Sequence, residues 1–295
     1  MEIIYPALKV ADWRALVDRA PRANWMQTWP YAVATFRRDQ KQYRVGVIQD
    51  GGRELGFFVL QEIRLGPIHF VNLMRGPLFF TPHEDLELLK RFAEALNREF
   101  PRRFLRRRRW MPEWPFSEEA RNIIIESGFV SLPQTSETFL VPTCGDLSGV
   151  RARLAQKWRN GLNKAEGFGL KVQINEDLQG LSDFVLCYQR FKKEKNFLGP
   201  SPAFILEEIR AGAPFRDYWR LVALDGDLPV AGILVAKHGR TASYRIGWNS
   251  ERGRKTNAHY LLLWTAIEKL NQAGCEGFDL GGILDEEKDK FTQNS

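Results

Sequence analysis

The feature that most limits the fold of this chain is a run of strand candidates in its last third. DYWRLVALDG, LPVAGILVAKHG and TASYRIGWNS follow one another, separated only by the turns Asp225-Gly226-Asp227 and His238-Gly239-Arg240. Connections that short join antiparallel neighbours, so the three form a meander. A long helix follows over AHYLLLWTAIEKLNQA, with Gly274 as its C-terminal stop. A final strand, GFDLGG, ends in a Gly-Gly turn. Strands in series, then a helix, then another strand make an α+β domain.

The first half repeats this kind of order without residue-level similarity. NWMQTWPYAVATF reads as a helix start carrying Pro30 at an early, tolerated position. QYRVGVIQD and RELGFFVLQEIRL flank Asp50-Gly51-Gly52 and predict a hairpin. PIHFVNLMRGPLFF is a further strand-like run broken by Gly76-Pro77, and HEDLELLKRFAEALNREF is a helix that Pro101 ends. FLRRRRW reads as extended, SEEARNIIIES as a short helix stopped by Gly128, and ETFLVPT as a strand. Pro142 to Gly149, PTCGDLSG, is the best linker between two patterned halves. The expected organisation is therefore one α+β domain over residues 1–145 and a second over 146–295, the latter read as shortened at its end. The second half opens with a basic helix, VRARLAQKWRNGLNKAEGFG, in which Val150, Leu154, Trp158, Leu162 and Ala165 line one face. A strand (LKVQI), a helix over 181–195 and a second helix, PAFILEEIRAG, precede the meander.

Composition narrows the function class. Hydrophobic residues are 44% and charged residues 27%, a globular balance. The 3 Cys form no CxxC pair and the 4 His no ligand spacing, which argues against a disulfide framework or a protein metal site. No run approaches the roughly 20 apolar residues of a transmembrane helix, and the N-terminus lacks the pattern of a secretory signal, so the expected location is cytoplasmic. A net charge of +7 suits an anionic ligand, such as a nucleotide, tRNA, CoA or acidic lipid, and equally a basic soluble surface.

Two basic segments stand out. Arg252, Arg254 and Lys255 directly precede a helix whose N-cap is Thr256 or Asn257, a ready anion site or simply a basic loop before a core helix. Arg102 to Arg109, RRFLRRRR, holds six Arg in eight residues with no acid. That density fits phosphate or acidic lipid, or a charged edge strand protected from pairing.

KWRNGLNKAEGFGLKV, entering a strand, resembles the start of the second domain of the FemAB family, the peptidoglycan bridge-forming aminoacyltransferases with two GNAT-like domains. Three further segments resemble the family in order: YRIGWNS at 244–250, NAHYLLLWTAIE at 257–268 and FDLGG at 278–282. The resemblance covers most of 147–282 and, more loosely, 24–110. It implies two tandem GNAT-like domains and transfer of an aminoacyl group from aminoacyl-tRNA to an amine of a cell-wall precursor. It also implies no cofactor, with charged tRNA and a peptidoglycan precursor or saccharide acceptor as partners, and peripheral contact with an acidic membrane. Tyr244, Asp279 and Lys290 are the catalytic candidates. Tyr244 can donate to the acceptor or a developing oxyanion, and Asp279 can take a proton or hold its turn. Lys157, Arg159, Lys164, Arg252, Arg254, Lys255 and Asn257 are the donor- or phosphate-binding candidates. A GNAT CoA loop carries a glycine where this chain has Asn257 and a small residue where it has His259, so weak or absent acyl-CoA binding is expected. Two alternatives stay open: an acyl-CoA-dependent N-acyltransferase of a surface polysaccharide sugar, and a non-catalytic binding protein on a GNAT-like scaffold.

Overall fold

The structure, a computed structural model, describes residues 1–39, 42–81, 85–131 and 138–282. The chain divides into two compact units, Met1–Thr135 and Ser136–Ser295. Each described sheet is covered by helices on both faces, and the strands at its centre are apolar on both sides.

The first unit runs β1 (Glu2–Ile4), α1 (Val10–Arg19), α2 (Trp29–Asp39), β2 (Gln42–Asp50), β3 (Arg53–Leu65), β4 (Ile68–Met74), β5 (Leu78–Phe79), α3 (Leu86–Glu99), β6 (Arg106–Met111) and α4 (Glu118–Glu126). Strand order is β1-β2-β3-β4-β6, with β5 on β3. Gly51 and Gly52 both have positive φ, 55° and 80°, so Asp50 and Arg53 pair across the tight hairpin predicted at that point. Alternate residues of β3 divide between two cores. Phe57 and Val59 meet Trp13, Leu16 and Val17 of α1, while Phe58 and Leu60 meet Leu88, Phe92 and Leu96 of α3. The arginine-rich segment becomes β6, the edge strand, parallel to β4.

The second unit contains β7 (Thr138–Pro142), α5 (Leu147–Arg153), α6 (Gln156–Glu166), β8 (Lys171–Asn175), α7 (Leu181–Lys195), α8 (Pro202–Gly212), β9 (Tyr218–Asp225), β10 (Leu228–His238), β11 (Thr241–Asn249), α9 (Glu251–Lys255), α10 (Ala258–Gln272) and β12 (Gly277–Gly282). The meander is β9-β10-β11, and the sheet order is β7-β12-β11-β10-β9-β8. β7 pairs antiparallel with β12, so the strand expected to close the first half belongs to the second sheet.

The basic helix expected from residue 150 onward is two helices. Leu154 and Ala155 adopt extended backbone, ψ 145° and 144°, between α5 and α6. Arg159 closes the break by donating to the carbonyls of Ala152 and Leu154. All five residues of the predicted apolar face remain buried, because burial of Leu154 outweighs continuity of the helix.

Phe58 is fully buried, packs edge-on to Tyr5 and Phe92, and lies over the bare backbone of Gly46. Phe58→Ala is expected to lower stability by about 3–5 kcal/mol in denaturant unfolding. A change under about 1 kcal/mol would show that this core can collapse around the loss.

Candidate functional site

The most distinctive local geometry lies on β11. Its register with β10 shifts between Leu234/Val235, where Leu234 faces Ile246 but Val235 faces Tyr244, so Arg245 is an extra residue in the strand. The bulge changes which face each side chain takes. Ala242 and Tyr244 pack on the core shared with α6 and α10, whereas Ile246 and Trp248 pack on the core shared with α7 and α8. Arg245 turns toward α8, where Nε and Nη2 donate to Glu208 at 3.1 and 2.9 Å. The Tyr218 hydroxyl donates to the same carboxylate at 3.0 Å.

Tyr244 and Gly247 thereby share a face. A Cβ on Gly247 would overlap the Tyr244 hydroxyl and sit 2.9 Å from His259 Nε2. The Tyr244 hydroxyl and His259 Nε2 are 3.5 Å apart. His259 Nδ1 is buried without a hydrogen-bond partner among the described residues. Burial pushes the His259 pKa down to about 4, so the ring is neutral at pH 7. Burial also pushes the Tyr244 hydroxyl above the ordinary phenol range, so it stays protonated. The pair offers one hydroxyl donor beside one neutral imidazole.

The parallel ladder between β11 and β12 has three pairs, ending at Ser243 and Asp279. Beyond it β11 continues to Asn249 without a strand on that side among the described residues. Beside Tyr244 lie the bulge at Arg245 and the stretch of β11 past the three-pair ladder. Preorganised donors stabilise an oxyanion.

The other expected site residues fall out as follows. Asp279 Oδ1 accepts from the backbone N–H of Gly281 at 2.8 Å and from the Thr138 hydroxyl, which ties the turn to β7. Lys290 lies outside the described residues. Arg252, Arg254 and Lys255 form α9 rather than a loop, because Ser250 caps the helix by accepting from Gly253 N–H. Arg252 pairs with Asp225 at 2.5 Å, Lys255 with Glu251 at 2.8 Å, and Arg254 donates to the Asn249 carbonyl. Asn257 begins α10 in the left-handed region, φ 54°, a conformation that asparagine tolerates better than most residues. Its Nδ2 lies 3.5 Å from the Gly161 carbonyl of α6. Arg159 is occupied at the α5–α6 break, and Lys157 and Lys164 are exposed on α6. The expected phosphate residues therefore do not converge on one point.

In the first unit, Arg106 and Arg108 are turned inward, not held out for phosphate. Arg106 donates to the Pro101 carbonyl and His69 Nδ1, and Arg108 to Asn97 and the Phe100 carbonyl. Burial, and after it neighbouring arginines, lowers the pKa of both. Reversing both charges would test the interior of this unit, while Arg107 and Arg109 form the exposed face.

Sequence reasoning missed His259 as a partner of Tyr244 and missed the Glu208–Arg245 pair. One signal was present: a glutamate inside the apolar helix PAFILEEIRAG needs a buried cation.

Residues 148–289 match the acetyltransferase (GNAT) domain family. The sequence has no significant match among curated proteins. Among solved structures, FemX superposes with a TM-score of 0.79 at 14% identity, over 98% of this chain and 90% of that one. A conserved protein of unknown function from Bacteroides thetaiotaomicron VPI-5482 gives 0.57 at 12% identity over 95% and 90%. L-PGS from Bacillus licheniformis gives 0.51 at 13% over 96% and 79%. The fold is thus that of two tandem GNAT-like domains, as the motifs implied, and residues 148–289 carry an acyltransferase-type domain.

Two buried neutral histidines make stability depend on pH. His238 is hydrogen-bonded to Ser243 and Thr241, and burial together with Arg245 pushes its pKa down to about 3. His238 and His259 start from an ordinary value of 6.5. Below it the unfolded chain takes up protons that the folded chain refuses. Stability is therefore expected to fall as the pH drops from 6.5 toward 4. Urea unfolding across that range should show the loss, and His259→Gln should make it shallower. Identical slopes in the variant and the parent would mean that His259 does not titrate on unfolding.

Proposed function

We propose that this FemAB-like acyltransferase transfers an aminoacyl group from the ester of a charged tRNA to an amine of a cell-wall precursor. The observation that carries the reading is the Tyr244–His259 pair beside the open edge of β11. Aminolysis of an activated ester needs little else. The amine nitrogen attacks the carbonyl carbon, a C–N bond forms, and the ester C–O bond to the ribose breaks. The ammonium proton is lost, and the departing oxygen gains one. Tyr244, held protonated, is suited to donate to the oxyanion or to the leaving oxygen. His259, held neutral, is suited to accept a hydrogen bond, and the ammonium proton passes to water.

The start of α10 supports an ester donor over acyl-CoA. A CoA pyrophosphate is gripped there by bare backbone and free positive charge. In this chain Asn257 occupies the entry, and Arg252, Arg254 and Lys255 are all engaged by neighbouring oxygens. A peptidoglycan precursor as acceptor fits the same reading.

The test is a transfer assay with charged tRNA and with acyl-CoA as donors, a peptidoglycan precursor as acceptor, and an amino sugar in parallel. Transfer from tRNA alone is expected, with no thermal shift on adding acyl-CoA. Acyl transfer from CoA to the sugar would replace the proposal with the polysaccharide reading. Tyr244→Phe is expected to reduce kcat by about 10²–10³ with little change in unfolding midpoint. Between pH 6 and 9 the rate should follow ionisation of the acceptor amine, since neither Tyr244 nor His259 titrates there. An inflection near 6.5 that disappears in His259→Gln would show instead a histidine acting with an unshifted pKa.

A further inference from the structure

We propose that two adjacent turn tips of the first unit form a docking surface for an anionic phospholipid bilayer. The first is the β3–β4 hairpin tip, where Leu65 and Ile68 pair across Gly66 and Pro67, with Gly66 at φ 55°. The second is the turn Arg103–Arg106, closed by a hydrogen bond from Arg106 N–H to the Arg103 carbonyl at 3.1 Å, with Phe104 and Leu105 at its apex. The two tips are fixed side by side. His69 N–H donates to the Leu105 carbonyl at 2.9 Å, and the parallel ladder of β4 and β6 begins at His69 and Arg106.

Their side chains are the wrong kind for a solvated turn, where Gly, Asn, Asp and Ser prevail. Phe104 is 88% exposed, Leu65 61%, Leu105 39% and Ile68 36%. Pro67 is exposed among them. Around them stand Arg64, Arg102, Arg103 and Arg107, all exposed, and neither 64–69 nor 101–109 contains an acidic residue. The nearest carboxylate on β3, Glu62, is buried and taken by Arg44 at 3.1 Å and by His69 at 2.9 Å, which leaves Arg64 at 3.8 Å. The tips are also held in place: Arg106 Nη1 grips the Pro101 carbonyl at 2.9 Å, at the start of the second turn.

An apolar apex ringed by guanidinium groups matches the layering of a membrane interface. Leucine, isoleucine, proline and phenylalanine enter below the headgroups, and the arginines remain at the level of the lipid phosphates. Charge complementarity selects an anionic leaflet. RNA phosphate would satisfy the arginines as well, but four of the five apical residues are not aromatic and have no face on which a base could stack. The proposal is independent of the donor and acceptor assigned above, since it concerns residues of the first unit only.

The full chain should co-sediment with vesicles of mixed phosphatidylglycerol and phosphatidylcholine, and only weakly with phosphatidylcholine alone. Added salt should weaken binding, and Arg102→Gln with Arg103→Gln should weaken it by roughly fivefold per arginine. Leu65→Ser with Phe104→Ser should weaken it by about tenfold or more through lost insertion. Both pairs are exposed, so thermal melting should be unchanged. Equal binding to the two vesicle types, or full retention by the Leu65/Phe104 variant, would overturn the proposal. So would loss of tRNA binding, measured by gel shift, in a variant whose vesicle binding is intact, because the surface would then belong to RNA.

Discussion

One additional residue in β11 organises the second unit. A regular strand alternates faces with a period of two, which would place Tyr244, Ile246 and Trp248 together. The bulge at Arg245 breaks that run, so Tyr244 goes to the side of α10 and the next two go to the side of α7 and α8. Bulges disrupt the ladder locally and need compensation. Here it comes from the buried Arg245 guanidinium, bound by two hydrogen bonds to Glu208 and supported by Tyr218. Removing either charge would strand the other in a dry interior, and such losses cost about 3–5 kcal/mol. The ion pair is thus what makes the irregular strand, and with it the position of Tyr244, a single defined state.

The same economy of charge runs through the rest of the molecule. Many basic side chains that a sequence offers as anion ligands are already used by the protein's own oxygens. Arg159 closes a helix break, Arg151 grips Glu166 with two hydrogen bonds, and Arg106 and Arg108 satisfy loop carbonyls. The positive charge left for solvent is a smaller set, and four of the exposed arginines of the first unit, Arg64, Arg102, Arg103 and Arg107, stand around the apolar turns at Leu65 and Phe104. Counting arginines overstates an anion site whenever carbonyls at helix and strand ends are unpaired, because a guanidinium with five donors is the side chain best fitted to collect them.

Periodicity and turn chemistry explain why so much of the fold is legible in the sequence. The hairpin at Gly51-Gly52, the helix from Leu86 and the meander of β9 to β11 each follow from short-range rules that the tertiary structure does not override. The departures have long-range causes. The split between α5 and α6 comes from the burial of Leu154, and the membership of β7 in the second sheet comes from its pairing with β12, well over a hundred residues away. For the site, Tyr244 was legible as an aromatic strand position, and Asp279 as a residue suited to its turn. His259 was not, because its approach to Tyr244 requires both the bulge and the bare Cα of Gly247, and neither leaves a local signature.

The two units also show what separates a shared topology from a candidate site. Each has a parallel pair made of a meander strand and the strand after the following helix. In the first unit the pair β4–β6 runs in register for six residues, from His69–Arg106 to Met74–Met111. It is then closed further by Arg75 N–H on the Met111 carbonyl, by the Arg75–Glu113 ion pair at 2.6 Å and by Trp110 Nε1 on the Gly76 carbonyl. In the second unit the corresponding pair parts after three residues. A closed ladder consumes the backbone groups that an acyl carbonyl would need, whereas the ladder that ends at Ser243 and Asp279 stops just before Tyr244, which stands beside His259. Chemistry can reside where the strands separate, and in the described residues of this chain that separation occurs on β11.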